Sequence, residues 1–158
     1  MRAFTLRPAR LIERAELDAL CFRSKAHWGY DTIFMEHVRD QIRVNADALA
    51  DGRTWVAVDG TDTAMGVVEV DPIDATRADL TLLFIDPPHL RKGIGRALFA
   101  KALDLSASLG ATELLIDSDP QAAAFYAAMG ADRIGSEPTG YQGRLLPRFR
   151  ALVTDREV

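Results

Sequence analysis

Phe84-Ile85-Asp86-Pro87-Pro88-His89-Leu90-Arg91-Lys92-Gly93-Ile94-Gly95-Arg96-Ala97-Leu98-Phe99 is the stretch on which the reading of this chain turns. An apolar run from Leu80 to Ile85 reads as a strand and is stopped by two prolines. A short basic turn follows, and an amphipathic helix begins without a linker. Two glycines around one residue let the backbone turn tightly and bring several N–H groups onto one point. The helix N-terminus behind them adds partial positive charge, and together they suit a phosphate. Arg91, Lys92 and Arg96 add formal charge in the same place, and the guanidinium fork matches phosphate oxygens. The expected grip is made by the N–H groups from Arg91 through Gly93, Ile94 and Gly95 to Arg96.

Two familiar phosphate motifs fit this turn poorly. The nucleoside-triphosphate loop needs four residues between its glycines and a Lys-Ser/Thr pair, and neither is present. The dinucleotide fingerprint needs a third glycine where Leu98 stands, and it opens the first strand–helix unit, whereas about half of this chain precedes Gly93. Asp117 does fall near the position of a ribose-binding acid, so a dinucleotide-binding oxidoreductase remains an alternative.

The rest of the chain bounds the answer. A length of 158 residues with 48% hydrophobic and 27% charged residues describes one globular domain, 1–158, with a sizeable core. No run has the apolar length of a membrane span, and Met1 to Arg7 lacks that of a secretion signal. One cysteine, Cys21, excludes an internal disulfide framework and fits a reducing, cytoplasmic setting. In an apolar helical stretch it reads as a buried thiol. A net charge of −4 argues against a nucleic-acid partner and makes the basic turn a local feature. His27, His37 and His89 show no metal-ligand spacing, so no metal is expected.

Periodicity predicts a strand at Phe4–Leu6 and helices over Leu11–Phe22 and Ile33–Val44. Strands Thr54–Val58 and Ala64–Val70 read as a hairpin about Asp59-Gly60. After the Leu80–Ile85 strand and the glycine turn, a helix with Ile94, Ala97, Leu98, Ala102 and Leu105 on one face ends at Gly110. Glu113–Asp117 reads as a strand, and Asp119 with Pro120 caps a helix closed by Gly130. Arg133–Gly135 and Leu152–Val153 supply late strands. The order implies an α/β fold, a mixed sheet with helices on both faces.

With its preceding strand, Leu90-Arg91-Lys92-Gly93-Ile94-Gly95 resembles the acyl-CoA signature of the GNAT superfamily of N-acetyltransferases, Gln/Arg-x-x-Gly-x-Gly/Ala, with Leu90 at the first position. Asp119-Pro120-Gln121-Ala122-Ala123-Ala124-Phe125-Tyr126-Ala127-Ala128-Met129-Gly130-Ala131 resembles the family's Asn/Asp-x-x-Ala-x-x-Phe-Tyr-x-x-x-Gly-Phe segment, with Ala131 at the last. The motifs cover Asp79 to Ala131. The resemblance implies a single-domain, mostly antiparallel sheet splayed near its central strands. It also implies acetyl-CoA as cosubstrate and direct attack by a primary amine, with a small molecule as the expected acceptor and a monomer or homodimer as the expected assembly. A catalytically silent acyl-CoA sensor on the same fold is the rival from another class.

Such a reaction needs a base, an oxyanion donor and a proton for the departing thiolate. An amine with pKa near 10.4 costs roughly 4–5 kcal/mol to deprotonate at pH 7, and a carboxylate is the usual remedy. Asp79, counted back from Gly93, falls where histone-acetylating relatives of the family carry their catalytic Glu. Strict alternation puts it on one face with Thr81, Leu83 and Ile85. Glu69, an acid in mid-strand among apolar residues, is the other candidate. The resemblance implies backbone N–H groups at Phe84 or Ile85 for the oxyanion and pantetheine, and places Asp119 and Phe125 at the cofactor. It makes Tyr126 the acid that meets the thiolate; without the motif, Phe125 and Tyr126 read as packing residues. His27, Trp28 and Tyr30, a polar aromatic cluster after the first helix, read either as packing or as one wall of the acceptor pocket, with Glu69 or Asp79 opposite.

Overall fold

The computed structural model describes residues 3–154. Seven strands form one sheet in the order β1-β2-β3-β4-β5-β7-β6. They are β1 (Thr5–Pro8), β2 (Thr54–Val58), β3 (Ala64–Pro72), β4 (Arg77–Ile85), β5 (Glu113–Asp117), β6 (Asp132–Pro138) and β7 (Leu145–Leu152). The helices are α1 (Arg14–Ala26), α2 (Thr32–Val38), α3 (Ala46–Ala50), α4 (Ile94–Ser108) and α5 (Ala123–Ala128). The pairs β1–β2, β2–β3, β5–β7 and β6–β7 are antiparallel, and β4–β5 is parallel. This is the mixed, mostly antiparallel sheet expected. Among the described residues no helix is long and apolar enough to cross a membrane.

The chain divides into two compact units. The first runs to Val70 and resumes over Thr81–Ala102; the second holds Asp71–Leu80 and everything from Leu103. In the first, Val56 and Val67 pair across β2 and β3 and join Leu82 against Leu17, Leu20 and Cys21 of α1. These side chains are 0–2% exposed, and each such burial is worth roughly 1.5–3 kcal/mol. Burial also pushes the Cys21 thiol well above its usual pKa, which makes it inert. Gly66 faces the other way. A Cβ there would stand 3.0 Å from Leu98 Cδ1 and 3.1 Å from Ile94 Cγ2. The missing side chain lets the start of α4 lie close on β3, and the first unit carries helices on both faces.

The second unit pairs Arg77, Ala78 and Asp79 of β4 with Glu113, Leu114 and Leu115 of β5, and β5 with β7. One face buries Leu114, Ile116, Phe149 and Ala151. The other carries charge, with Asp117 opposite Arg148 and Leu115 opposite Arg150.

Several local expectations are corrected. The helix expected over Ile33–Val44 ends at Val38; a 3-10 turn, Arg39–Gln41, follows, and Asn45 starts α3 by accepting from the N–H groups of Asp47 and Ala48. Leu11–Glu13 is 3-10, and α1 proper continues past Phe22 to Ala26. The hairpin after β2 is not a two-residue turn. Its five-residue loop closes through Asp59 N–H on Thr63 O, and the Asp59 carboxylate accepts from Thr61 and Thr63. Late strands β6 and β7 are far longer than the short segments expected.

Candidate active site

The turn before α4 is built largely as the sequence requires, with one difference in how its glycines act. Pro87–His89 forms a 3-10 turn, and Leu90 is extended. Arg91 then takes φ +64 and Gly93 φ +82, both left-handed. Such alternation in a turn aims successive N–H groups inward. Gly95 is not a turn residue. It lies inside α4 as its second residue, so the expectation that both glycines make the turn is corrected. The first backbone bond of α4 runs from Ala97 N–H to Gly93 O at 3.2 Å. The N–H groups of Ile94, Gly95 and Arg96 therefore lie ahead of the helical ladder. A Ser or Asp at the cap would consume one of them, and Gly93 cannot. Arg91, Lys92 and Arg96 are exposed, and among the described residues none pairs with a carboxylate. Lys92 Nζ lies 3.3 Å from His89 Nδ1. This donor set fits a diphosphate.

Upstream, Ile85 lies over Gly66 beside Leu98 and Ile94, while Phe84 packs on the α1 side of the sheet. Ile94 is 1% exposed. The side chains of Ile85 and Ile94 are spent on packing, so any contact they offer a ligand is through backbone.

Glu69 is 1% exposed. Its Oε1 accepts from Asn45 N–H at 3.0 Å and Thr54 Oγ1 at 2.9 Å, and its Oε2 from Thr81 Oγ1 at 2.9 Å. The mid-strand acid thus joins β2, β4 and the start of α3. These contacts also correct the alternation expected of β4. On β3, Gly66 and Glu69 face opposite ways, yet Thr81 meets Glu69 and Ile85 meets Gly66. Strict alternation would keep Thr81 and Ile85 together, so β4 is irregular between them.

In the second unit, Asp79 is partly buried on the charged face. Burial, then Asp117 and Asp71, push its carboxyl up to about 6 against the opposing pull of Arg148. Asp117 is itself raised, chiefly by burial, although Arg148 Nε stands 3.4 Å from its Oδ1. Tyr126 approaches from the other face, its ring centroid 6.0 Å from that of Phe149 and 5.2 Å from Phe125. Burial, with Asp119 adding, raises the phenol well above its usual pKa, so it stays protonated. Asp119 accepts from Gln121 N–H at 2.8 Å and faces Arg144 Nη2 at 3.5 Å.

The His27–Tyr30 cluster follows α1 in the first unit. His27 and Trp28 meet edge to face at 5.7 Å, and Trp28 is 41% exposed. Tyr30 packs on Phe34 at 4.5 Å, with Lys25 Nζ 5.2 Å from its ring. The cluster therefore splits: Trp28 faces outward, and Tyr30 joins a packed aromatic pair.

A model of the Acetyltransferase (GNAT) family matches residues 15–131. The chain belongs to this family. Solved structures agree on the fold. A GCN5-related N-acetyltransferase from Rhodopseudomonas palustris superposes with TM-score 0.73 at 19% identity, over 96% of this chain and 97% of that one. The PaiA N-acetyltransferase from Thermoplasma acidophilum, in complex with coenzyme A, gives 0.72 at 15% identity over 92% and 97%. YncA from Salmonella typhimurium, with its cofactor acetyl-CoA, gives 0.71 at 15% identity over 98% and 96%. For a GNAT acetyltransferase the turn at Arg91–Arg96 and the Phe125-Tyr126 helix are the features the sequence singled out. Gly66, Arg23 and Asp86 were missed. A lone glycine in an apolar strand was the available signal for the first; the other two form a pair distant in sequence.

Proposed function

We propose that this GNAT acetyltransferase moves the acetyl group of acetyl-CoA onto a primary amine by direct attack, and that the acceptor is a small molecule. The observation carrying the donor half is the start of α4. There a glycine cap leaves three helix N–H groups ahead of the ladder, and three basic side chains lack a carboxylate partner among the described residues. The coenzyme A and acetyl-CoA held by the PaiA and YncA proteins support the same reading. When bound, acetyl-CoA supplies a thioester activated toward nucleophiles. This chain's residues do the rest.

Arg91, Lys92 and Arg96, with the N–H groups of Gly93, Ile94 and Gly95, hold the diphosphate. Backbone groups of Phe84 and Ile85 bond the pantetheine arm, and Asp119 and Phe125 support the cofactor through α5. Asp79 is the preferred base. A carboxyl near 6 is ionised at neutral pH yet more basic than an ordinary aspartate, which suits proton abstraction from an ammonium. Glu69 is the second candidate; three donors already engage its oxygens, which favours a role holding the first unit's strands together. Tyr126 serves the departing sulfur. Its phenol is a weaker acid than a thiol near 8.5, so it stabilises the thiolate by donating a hydrogen bond and does not surrender the proton outright. His27, Trp28 and Tyr30 are proposed as acceptor contacts. Trp28 offers an exposed ring face for a cationic or apolar group. These roles are proposed to belong to a single domain, 1–158, acting in the cytoplasm.

The test is calorimetric titration with acetyl-CoA and, separately, NAD, followed by thiol release with small amines, amino acids and peptides. Acetyl-CoA binding and turnover with a small amine are expected. Binding of NAD alone overturns the reading. Acetyl-CoA binding without turnover on any acceptor replaces it with the sensor.

A further inference from the structure

Between Asp86 and Arg96 the chain carries one acidic side chain, Asp86, against three basic ones. Asp86 stands at the cap of the 3-10 turn Pro87–His89, yet its carboxylate bonds no N–H there. The prolines explain this. Pro87 and Pro88 have no N–H to offer, and the His89 N–H is spent on the Asp86 carbonyl oxygen at 2.8 Å. The carboxylate turns to Arg23, in the last turn of α1. Arg23 Nε donates to Oδ1 at 3.2 Å and Nη2 to Oδ2 at 3.0 Å, a two-pronged pair. The Asp86 N–H is tied as well, to Met65 O on β3 at 2.9 Å. The Asp86 side chain is 18% exposed and that of Arg23 50%. Glu16 is the other carboxylate acting on this guanidinium.

We infer that Arg23 is a positioning residue for the acyl-donor turn. By gripping the turn's only carboxylate it neutralises a charge that would repel a diphosphate; the point from which the turn departs is held by the Asp86 N–H on Met65 O, which does not depend on the side-chain pair. The inference rests on the reading of that turn as the acetyl-CoA site. The same helix end continues into His27, one turn later, so the residue that tunes the donor turn also anchors the segment proposed to meet the acceptor.

Acetyl-CoA is titrated calorimetrically into the wild type, Arg23→Gln, Asp86→Asn and the double variant, at low and high salt, with denaturation midpoints confirming that each folds. Arg23 is half exposed, and Arg23→Lys provides a second route if the glutamine variant fails to fold. Arg23→Gln is expected to bind about tenfold more weakly, equivalent to ~1.4 kcal/mol, and the deficit shrinks at high salt. Asp86→Asn binds at least as tightly as the wild type, and in the double variant affinity returns to within about threefold. A merely structural role would give no such rescue. Wild-type affinity in Arg23→Gln, or a double variant as weak as Arg23→Gln, overturns the inference alone. Failure of the wild type to bind acetyl-CoA strikes the functional reading instead.

Discussion

Gly93 and Gly95 do different work, and exchanging each for alanine separates the two roles. Gly93 sits at φ +82, where an L side chain costs roughly 1–2 kcal/mol. A Cβ at Gly93 meets nothing within 4 Å, so that cost is backbone strain with no steric part. Gly93→Ala should therefore lose about 1–2 kcal/mol of unfolding free energy, which lowers Tm by a few degrees in a domain of this size. Gly95 lies within α4, where alanine is the better helix former by up to ~1 kcal/mol. Gly95→Ala should hold or raise stability. Alanine is also the alternative residue at this position of the family signature, so Gly95→Ala tests helix stability alone, whereas Gly93→Ala, by disturbing the left-handed cap, also shifts the N–H groups assigned to the diphosphate. Losing one charge-assisted bond costs roughly 1.5–3 kcal/mol, or about one to two orders of magnitude in acetyl-CoA affinity. Urea unfolding with an unchanged m-value measures the first effect and calorimetry the second. A Gly93→Ala variant with wild-type affinity would refute the N–H grip, and one of undiminished stability would refute the strain argument.

Three further substitutions test the proposed chemistry. Asp79 is held at about 6 against an ordinary 3.8, so the native protein binds its proton more tightly than the unfolded chain, and this contribution to stability is lost as pH rises from 3.8 to about 6. Asp79→Asn should accordingly be more stable than the wild type at pH 7 but not below pH ~4 by urea titration. As base, it should also lose roughly 10²–10⁴ in turnover, together with the wild type's rise in rate through pH 6. Tyr126→Phe keeps the packing on Phe149 and, by removing one donor to the developing thiolate charge, should cut kcat by roughly 10²-fold with acetyl-CoA affinity unchanged, as read by single-turnover kinetics; unaltered chemistry would leave Tyr126 as a core residue. Glu69→Gln turns an amide toward Thr54, Thr81 or the Asn45 N–H and should cost about 2 kcal/mol in chemical denaturation. A neutral outcome there would remove Glu69 from the scaffold and return it to the list of bases.

Much of this protein was legible in one dimension because the deciding features are local. The strand, the prolines, the glycine turn and α4 are contiguous, and each acts within a few residues of itself: Gly93 takes a left-handed φ, Gly110 ends the helix at φ +81, and Asp119 bonds the N–H two residues on. Strands β2 and β5 begin and end where their apolar runs do. The early helices were less legible. Leu11–Glu13 and Arg39–Gln41 tighten to 3-10, and Asn45 restarts a helix where apolar spacing ran on. Capping competes there with periodicity at distances that an apolar pattern does not register.

The sequence by itself determined the family, the glycine turn proposed to hold a phosphate and the residue types available for acid–base work. Only the tertiary structure decided their states. Asp79 and Glu69 are both acids on central strands, indistinguishable by spacing. Folding buries one, with other carboxylates nearby, and raises it to about 6, while giving the other three hydrogen-bond donors from Asn45, Thr54 and Thr81. Asp86 likewise carries no assigned role in the sequence; folding brings Arg23, 63 residues away along the chain, onto its carboxylate. A side chain's identity is written locally, but its charge state and partners follow from desolvation and from groups that chain folding brings within a few ångströms.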